Sequence, residues 1–285
     1  MLKQRIITAL CLIPLVLAGI FWAPTVYFAW GLVPIFAIAA KEWGRLIDKE
    51  CNVTQWSFTL TVTSLLIIIN VMFPADELWF KGQIHPMFLA IISIGVMWWL
   101  ISTLLVMSFP KSAKVWNTSP MLKSMFGQLT LIPCFVSLIA LKSLSSSVDP
   151  YFGGALVFIV MLVVWAADTG AYFAGRSLGK HKLMPSVSPA KTLEGLAGGL
   201  LTTMLIVAGV MYVSPEQELG LLIVVTLITA LASAFGDLSE SMFKRVAEIK
   251  DSGKILPGHG GILDRIDSLT AAFPVFTLIY IAMWM

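Results

Sequence analysis

Charge is what this sequence has least of. Only 12% of its 285 residues are Asp, Glu, Lys or Arg, against 58% hydrophobic, where a soluble domain carries about 25% charged residues. A chain this long could bury a soluble core, but it lacks the charge to cover one. Its apolar residues also fall in long runs, so lipid rather than water is the expected solvent. Cysteine is nearly absent. Cys11, Cys51 and Cys134 are an odd set at spacings that exclude a disulfide framework or a metal knot. Histidine is equally scarce, and His85, His181 and His259 lie in separate loops, which excludes a zinc site. A Walker A loop is missing: Gly175 to Lys180 has the wrong spacing, and His181 stands where Ser or Thr is required. The net charge of +3 is too small to indicate nucleic acid as a partner. No repeat, low-complexity tract or soluble domain is evident.

What remains is a series of apolar segments of spanning length. Nine emerge, at roughly 4–22, 25–46, 56–73, 86–108, 122–141, 152–174, 194–213, 218–238 and 267–285. The first two form one long run, and Ala23-Pro24-Thr25 is its natural turn. The basic start of the first resembles a signal peptide. Phe21 and Trp22 at the would-be cleavage region, and the apolar run that follows, favour an uncleaved span. With the N-terminus in the cytoplasm, every one of the 19 Lys and Arg residues except Lys81 and Lys142 falls on the cytoplasmic side. That asymmetry supports both the count and the orientation. The expected fold is therefore an all-α polytopic membrane protein of about nine transmembrane helices, N-terminus cytoplasmic and C-terminus outside. Trp22, Trp30, Trp43, Trp79, Trp116 and Trp284 lie near span ends, as an interfacial belt would. Gly195, Gly198 and Gly199 suggest close helix packing. Residues 1–150 offer little chemistry and are expected to form about five structural, lipid-facing spans. Residues 151–285 contain the two long polar stretches and are expected to be catalytic.

The densest chemistry runs from Gly236 to Ser268. Asp237 closes an apolar run, and on a continuing helix it shares a face with Ser241 and Lys244. Asp264 and Asp267 share a face at the start of the last span. Carboxylates at a membrane boundary are costly unless paired or metal-bound. Five cations lie close by, and carboxylate oxygens with Lys and Arg suit phosphoryl chemistry through Mg2+. Pro257-Gly258-His259-Gly260-Gly261 can turn tightly and aim N–H groups at phosphate, with His259 as a phosphate or loop-ordering donor. A second stretch carries Asp168 inside an apolar run, then Arg176, Lys180 and Lys182. Ser188-Pro189-Ala190-Lys191-Thr192-Leu193-Glu194 follows, and it can start a helix and so form an anion site.

At these residues the sequence resembles the phosphatidate cytidylyltransferase family. The family signature reads S-x-x-K-R-x4-K-D and then H-G-G-x-x-D-R-x-D. Ser241, Lys244, Arg245, Lys250, Asp251, His259, Gly260, Gly261, Asp264, Arg265 and Asp267 fill every place. The resemblance is strongest over 160–270. It implies a nucleotidyltransferase of phospholipid biosynthesis in the cell inner membrane. CMP would pass from CTP to phosphatidic acid, giving CDP-diacylglycerol and pyrophosphate at the cytoplasmic face. It implies that Asp237 and Asp264 hold Mg2+, with room for a monovalent cation such as K+, and that Lys244 and Arg245 join them in catalysis. Asp168, Ser188, Lys191, Ser241, Lys250, His259, Gly260, Gly261, Arg265 and Asp267 would bind nucleotide or lipid headgroup. The expected partners are CTP, phosphatidic acid and the lipid bilayer, with a homodimer left open. Two rivals share some features. A CTP-dependent polyprenol or phytol kinase would transfer the γ-phosphoryl group to an alcohol. An ion-coupled transporter would carry protons or ions on Asp168 and Asp237.

Overall fold

The structure is a computed structural model. It describes residues 2–144, 149–255, 258 and 260–284, with the side chains of residues 2–9 and 11 outside the description. Helices dominate it: α1 (Leu2–Phe21), α2 (Thr25–Ile47), α3 (Asn52–Met72), α4 (Pro86–Met107), the short α5 (Ala113–Trp116), α6 (Pro120–Lys142), α7 (Phe152–Leu178), α8 (Leu193–Val213), α9 (Leu219–Ala247) and α10 (Leu263–Trp284). Each long helix matches one of the nine apolar segments. In lipid every backbone N–H and C=O must be satisfied within the chain, and a helix does this locally. Pro14, Pro34, Pro133 and Pro274 sit inside helices, as neighbouring helices allow. α1 stops at Phe21 and α2 starts at Thr25, so the first long run does break at Pro24. The chain is an all-α polytopic membrane protein: among the described residues eight of the helices, from α2 onward, have the length and apolarity to cross a bilayer.

Two small hairpins interrupt the helices. β1 (Trp79–Phe80) pairs with β2 (Gln83–Ile84), and β3 (Lys182–Met184) pairs with β4 (Ser188–Thr192), both antiparallel. The helix start expected around Thr192 and Glu194 is found there, and a strand that the sequence did not announce precedes it. Ser188 to Thr192 are extended, and the helix begins at Leu193 with Thr192 as its N-cap, Oγ1 accepting the Gly195 amide at 3.0 Å. Pro189 favours an extended neighbour before it, and pairing with β3 then fixes the strand.

α7 and α9 outrun their apolar segments. At 27 and 29 residues they measure about 40 Å or more at 1.5 Å per residue, against a hydrocarbon core of about 30 Å. Their C-terminal turns therefore project past the apolar zone at one end of the bundle, with Arg176, Lys244 and Arg245 on them. The polar residues gather at this charged end.

One apolar core joins the two halves of the chain, from Ile20 and Phe36 to Phe243 and Phe276. Trp43 and Trp116 belong to it rather than to an interfacial belt. They are 2% and 1% exposed and pack on Phe243 with ring centroids 5.1 and 4.9 Å away. The Trp43 indole N–H donates to the Lys123 carbonyl at 3.0 Å, which lets a polar ring be buried. Trp22 and Trp30 do face outward.

α8 lies against α7 across small residues. A Cβ on Gly199 would stand 2.6 Å from the Ala167 carbonyl oxygen, and one on Gly195 2.9 Å from that of Ala171. A Cβ on Gly198 would overlap the Ala174 side chain. This is the small-residue packing that bilayers favour. Gly198→Leu is therefore expected to destabilise the protein by about 1–3 kcal/mol through overpacking. The melting temperature in detergent checks it.

Candidate functional site

α7, α8 and α9 enclose a cavity of about 570 Å³ at the charged end. Its apolar wall includes Ala167, Leu196, Leu200 and Ala230, and its polar floor includes Asp168, Arg176, Lys191 and Asp237. Asp168 and Asp237 each lie ten residues before the last residue of their helices, Leu178 and Ala247. Because the two helices run in the same direction, both carboxylates stand at one level, about 15 Å above the helix ends.

The β3–β4 hairpin brings the cation. Lys191 Nζ meets Asp237 Oδ2 at 2.6 Å. The hairpin is fixed from two sides. Arg245 donates from Nε to the Val187 carbonyl at 3.0 Å. Glu194, in the first turn of α8, accepts the Lys180 amide at 3.1 Å and pairs with His181 Nδ1 at 2.6 Å. Arg245 therefore anchors the loop that carries Lys191, a role its sequence position did not announce. Arg265 lies near enough to Asp168 to attract it, as does Lys191. Ser241 Oγ donates to Asp237 Oδ1 at 3.3 Å.

Behind the cavity floor is a second, more buried group between α9 and α10. Lys244 bridges Glu240 and Asp264, 2.6 Å from Asp264 Oδ1. Glu240 and Asp264 side chains are 4% and 6% exposed. Asp264 Oδ1 and Oδ2 also accept the Ser252 amide at 3.0 and 3.1 Å, and Oδ2 accepts the Gly261 amide at 2.8 Å. Asp267 connects the two groups, since it interacts with Asp237 on one side and with Lys244 and Glu240 on the other. Asp237, Glu240 and Lys244 recur at i, i+3 and i+7 on α9, facing Asp264 and Asp267 on α10.

The sequence-predicted residues thus divide. Asp168, Lys191 and Asp237 come together at the cavity, with Ser241 bonded to Asp237 and Arg265 close enough to attract Asp168. Lys244, Asp264 and Asp267 form the buried group beside it. Ser188 starts β4, in register with Met184. Lys250 is exposed on the loop after α9. Gly260 adopts φ +85°, and a Cβ there would stand 2.6 Å from Asp264 Oδ2. The Gly261 N–H, expected to face phosphate, donates to Asp264 instead. His259 lies outside the described residues. Glu42 and Glu240 were missed; Glu42 lies inside a predicted span, the same signal that singled out Asp168, whereas Glu240 follows the apolar run that Asp237 closes.

Among the described residues no three carboxylates, histidines or cysteines form a preformed metal cage. Mg2+ does not need one: it is held by one or two carboxylates, water and substrate phosphate. The charge balance fits such a cation. Asp168, Asp237, Glu240, Asp264 and Asp267 outnumber Arg176, Lys191, Lys244 and Arg265 around the floor and the buried group behind it.

The chain is similar to known proteins over nearly its whole length. The model of the cytidylyltransferase family matches residues 3–283. A phosphatidate cytidylyltransferase of Haemophilus influenzae is 39% identical over 286 residues, covering 98% of this chain and 99% of its own. One from Pseudomonas aeruginosa is 40% identical over 287 residues, covering 100% and 99%. One from Staphylococcus haemolyticus is 37% identical over 202 residues, covering 63% and 77%.

Proposed function

This chain belongs to the cytidylyltransferase family and is a membrane-embedded nucleotidyltransferase, and on that premise we propose that it transfers CMP from CTP to phosphatidic acid. A phosphate oxygen of phosphatidic acid attacks the α-phosphorus of CTP, the bond to the β-phosphate oxygen breaks, and pyrophosphate leaves. The products are CDP-diacylglycerol and pyrophosphate. The observation that carries this reading is the Lys191–Asp237 pair, with Asp168 beside it, on the polar floor of an otherwise apolar cavity. A diacyl lipid has that division of chemistry: its chains suit the apolar wall and its phosphate suits the charged floor.

The nucleophile already carries a charged oxygen, so the residues need not abstract a proton. Their task is to bring two polyanions together. Lys191 and Arg176 offer positive charge at the floor for the phosphates, and Arg265 adds to it from beside Asp168. Arg245 keeps Lys191 in place through the hairpin. Asp237 and Asp264 are the residues that would hold Mg2+, and K+ is part of the proposal on the same excess of carboxylate. When bound, the divalent ion would supply charge neutralisation and a template for the triphosphate. Orientation of the two substrates supplies the rest. Most basic residues cluster with the charged end in the proposed topology, so by the positive-inside rule the site faces the cytoplasm of an inner membrane, where CTP arrives from water.

Purified protein in detergent, given labelled CTP, phosphatidic acid and Mg2+, is expected to yield a lipid-soluble nucleotide and one pyrophosphate per turnover. Release of CDP with a phosphorylated alcohol would replace this reading with a lipid kinase. Ion uptake by sealed liposomes without nucleotide turnover would replace it with a transporter, although the polar groups gather at one end of the bundle rather than at its middle.

A further inference from the structure

The loop between α9 and α10 is held from the other half of the chain. Glu42, on α2, is 5% exposed. Its Oε2 accepts the Leu263 amide at 2.7 Å and Ser252 Oγ at 3.1 Å, and its Oε1 accepts the Ile262 amide at 3.1 Å. A helix start leaves its first N–H groups without internal partners. Glu42 satisfies two of them at α10, and its charge suits the positive end of that helix. Arg45, one turn further along α2, donates from Nη1 to the Ser252 carbonyl at 2.5 Å. Ser252 is fully buried and is gripped at three atoms: its hydroxyl by Glu42, its carbonyl by Arg45 and its amide by Asp264. Gly253 and Gly261 pack so closely that a Cβ on either would overlap the Glu42 carboxylate.

We infer that Glu42 is a positioning residue for the nucleotidyl transfer, acting through Ser252 and the first turn of α10 to fix where Asp264 stands. The inference rests on the proposed reaction. Glu42, like Asp264, is not part of the cavity lining, so it acts on the chemistry through the residues it positions, Asp264 first among them. Removing it frees the Ser252 hydroxyl and the Ile262 and Leu263 amides together, and the frame around the Asp264 carboxylate loosens.

The test is steady-state kinetics of the full chain in detergent with CTP and phosphatidic acid. Glu42→Ala is expected to lower kcat by about 10²-fold, the effect of a displacement of about 1 Å, with KM for CTP changed less than about two-fold. Glu42→Gln keeps one acceptor and is expected to recover about ten-fold of that loss. Ser252→Ala combined with Glu42→Ala is expected to fall little below Glu42→Ala alone, because both act on one path. Lys49→Ala removes an exposed pair with Glu248, 39% and 81% exposed, and is expected to stay within about two-fold of wild type. Amide hydrogen exchange at Ile262 and Leu263 is expected to quicken in Glu42→Ala and Glu42→Gln.

Wild-type kcat in Glu42→Ala overturns the inference. So does a fall in kcat that only tracks the folded fraction, or full additivity with Ser252→Ala. If Glu42→Ala does not fold, Glu42→Gln and Ser252→Ala carry the same comparison. If the wild-type chain makes no lipid-linked nucleotide, the proposed reaction fails. Exchange at Ile262 and Leu263 then decides the latch: unchanged rates in Glu42→Gln overturn it.

Discussion

Asp237→Asn is expected to reduce CMP transfer by about 10³-fold or more while the melting temperature in detergent stays within about 2 °C of wild type. Asp237 is 31% exposed on the cavity floor, with one oxygen on Lys191 at 2.6 Å and the other accepting from Ser241 at 3.3 Å. Asparagine keeps the shape and one acceptor, so α9 and the Ser241 contact persist. It removes the charge that restrains Lys191 and that would hold a divalent cation. Asp264→Asn is expected to match it in lost turnover but not in stability. Both Asp264 oxygens accept from N–H donors, and Lys244 adds a third. An amide nitrogen there would face donors with a donor, leaving buried groups unpaired. The contrast separates chemistry from folding. Retained turnover in Asp237→Asn removes Asp237 from the metal proposal.

The second large effect is expected at Lys244. Its ammonium bridges Glu240 and Asp264, both nearly fully buried. Removing one partner of a buried charge network costs about 3–5 kcal/mol, because the remaining charge is left uncompensated. Lys244→Met keeps the length of the side chain and loses the charge, with Asp267 adding repulsion from the same face. The folded yield and melting temperature in detergent should fall sharply. Adding Glu240→Gln removes one of the stranded charges and should restore part of the stability. A Lys244→Met protein that melts like wild type would show that solvent or counter-ions already neutralise these carboxylates.

Much of the architecture was legible because lipid imposes a simple rule. About 20 apolar residues make a span, and Pro24 can only break the first long run. The ends of α7 and α9 were not legible, since hydropathy stops where the apolar run stops while the helix continues on backbone hydrogen bonds through Arg176 and Lys244. The β3–β4 hairpin was hidden for a related reason. Ser-Pro followed by Lys-Thr-x-Glu reads as a helix start, and the strand before that start depends on pairing that no local pattern displays. Around the site, spacing brought out Asp168, Asp237, Asp264 and Asp267. It could not assign their neighbours. Arg245 reads as a phosphate ligand, yet its Nε bonds a loop carbonyl 58 residues away in the chain. Glu42 was passed over because nothing near it in the sequence shows what it binds: its partners lie more than 200 residues downstream.

The overhang of α7 and α9 has a consequence for how the substrate is met. Helices that end flush with the apolar zone would force a phospholipid to be lifted out of its leaflet to reach protein charges. Here the helices carry Arg176, Lys244 and Arg245 past that boundary, with Asp168 and Asp237 further in, so that on the proposed reading the cations stand level with the headgroup layer in which a phosphate already resides. The lipid need only drift sideways into register. On the proposed reaction, turnover is thereby expected to depend on leaflet thickness, because a thicker sheet of hydrocarbon would drown the charged helix ends.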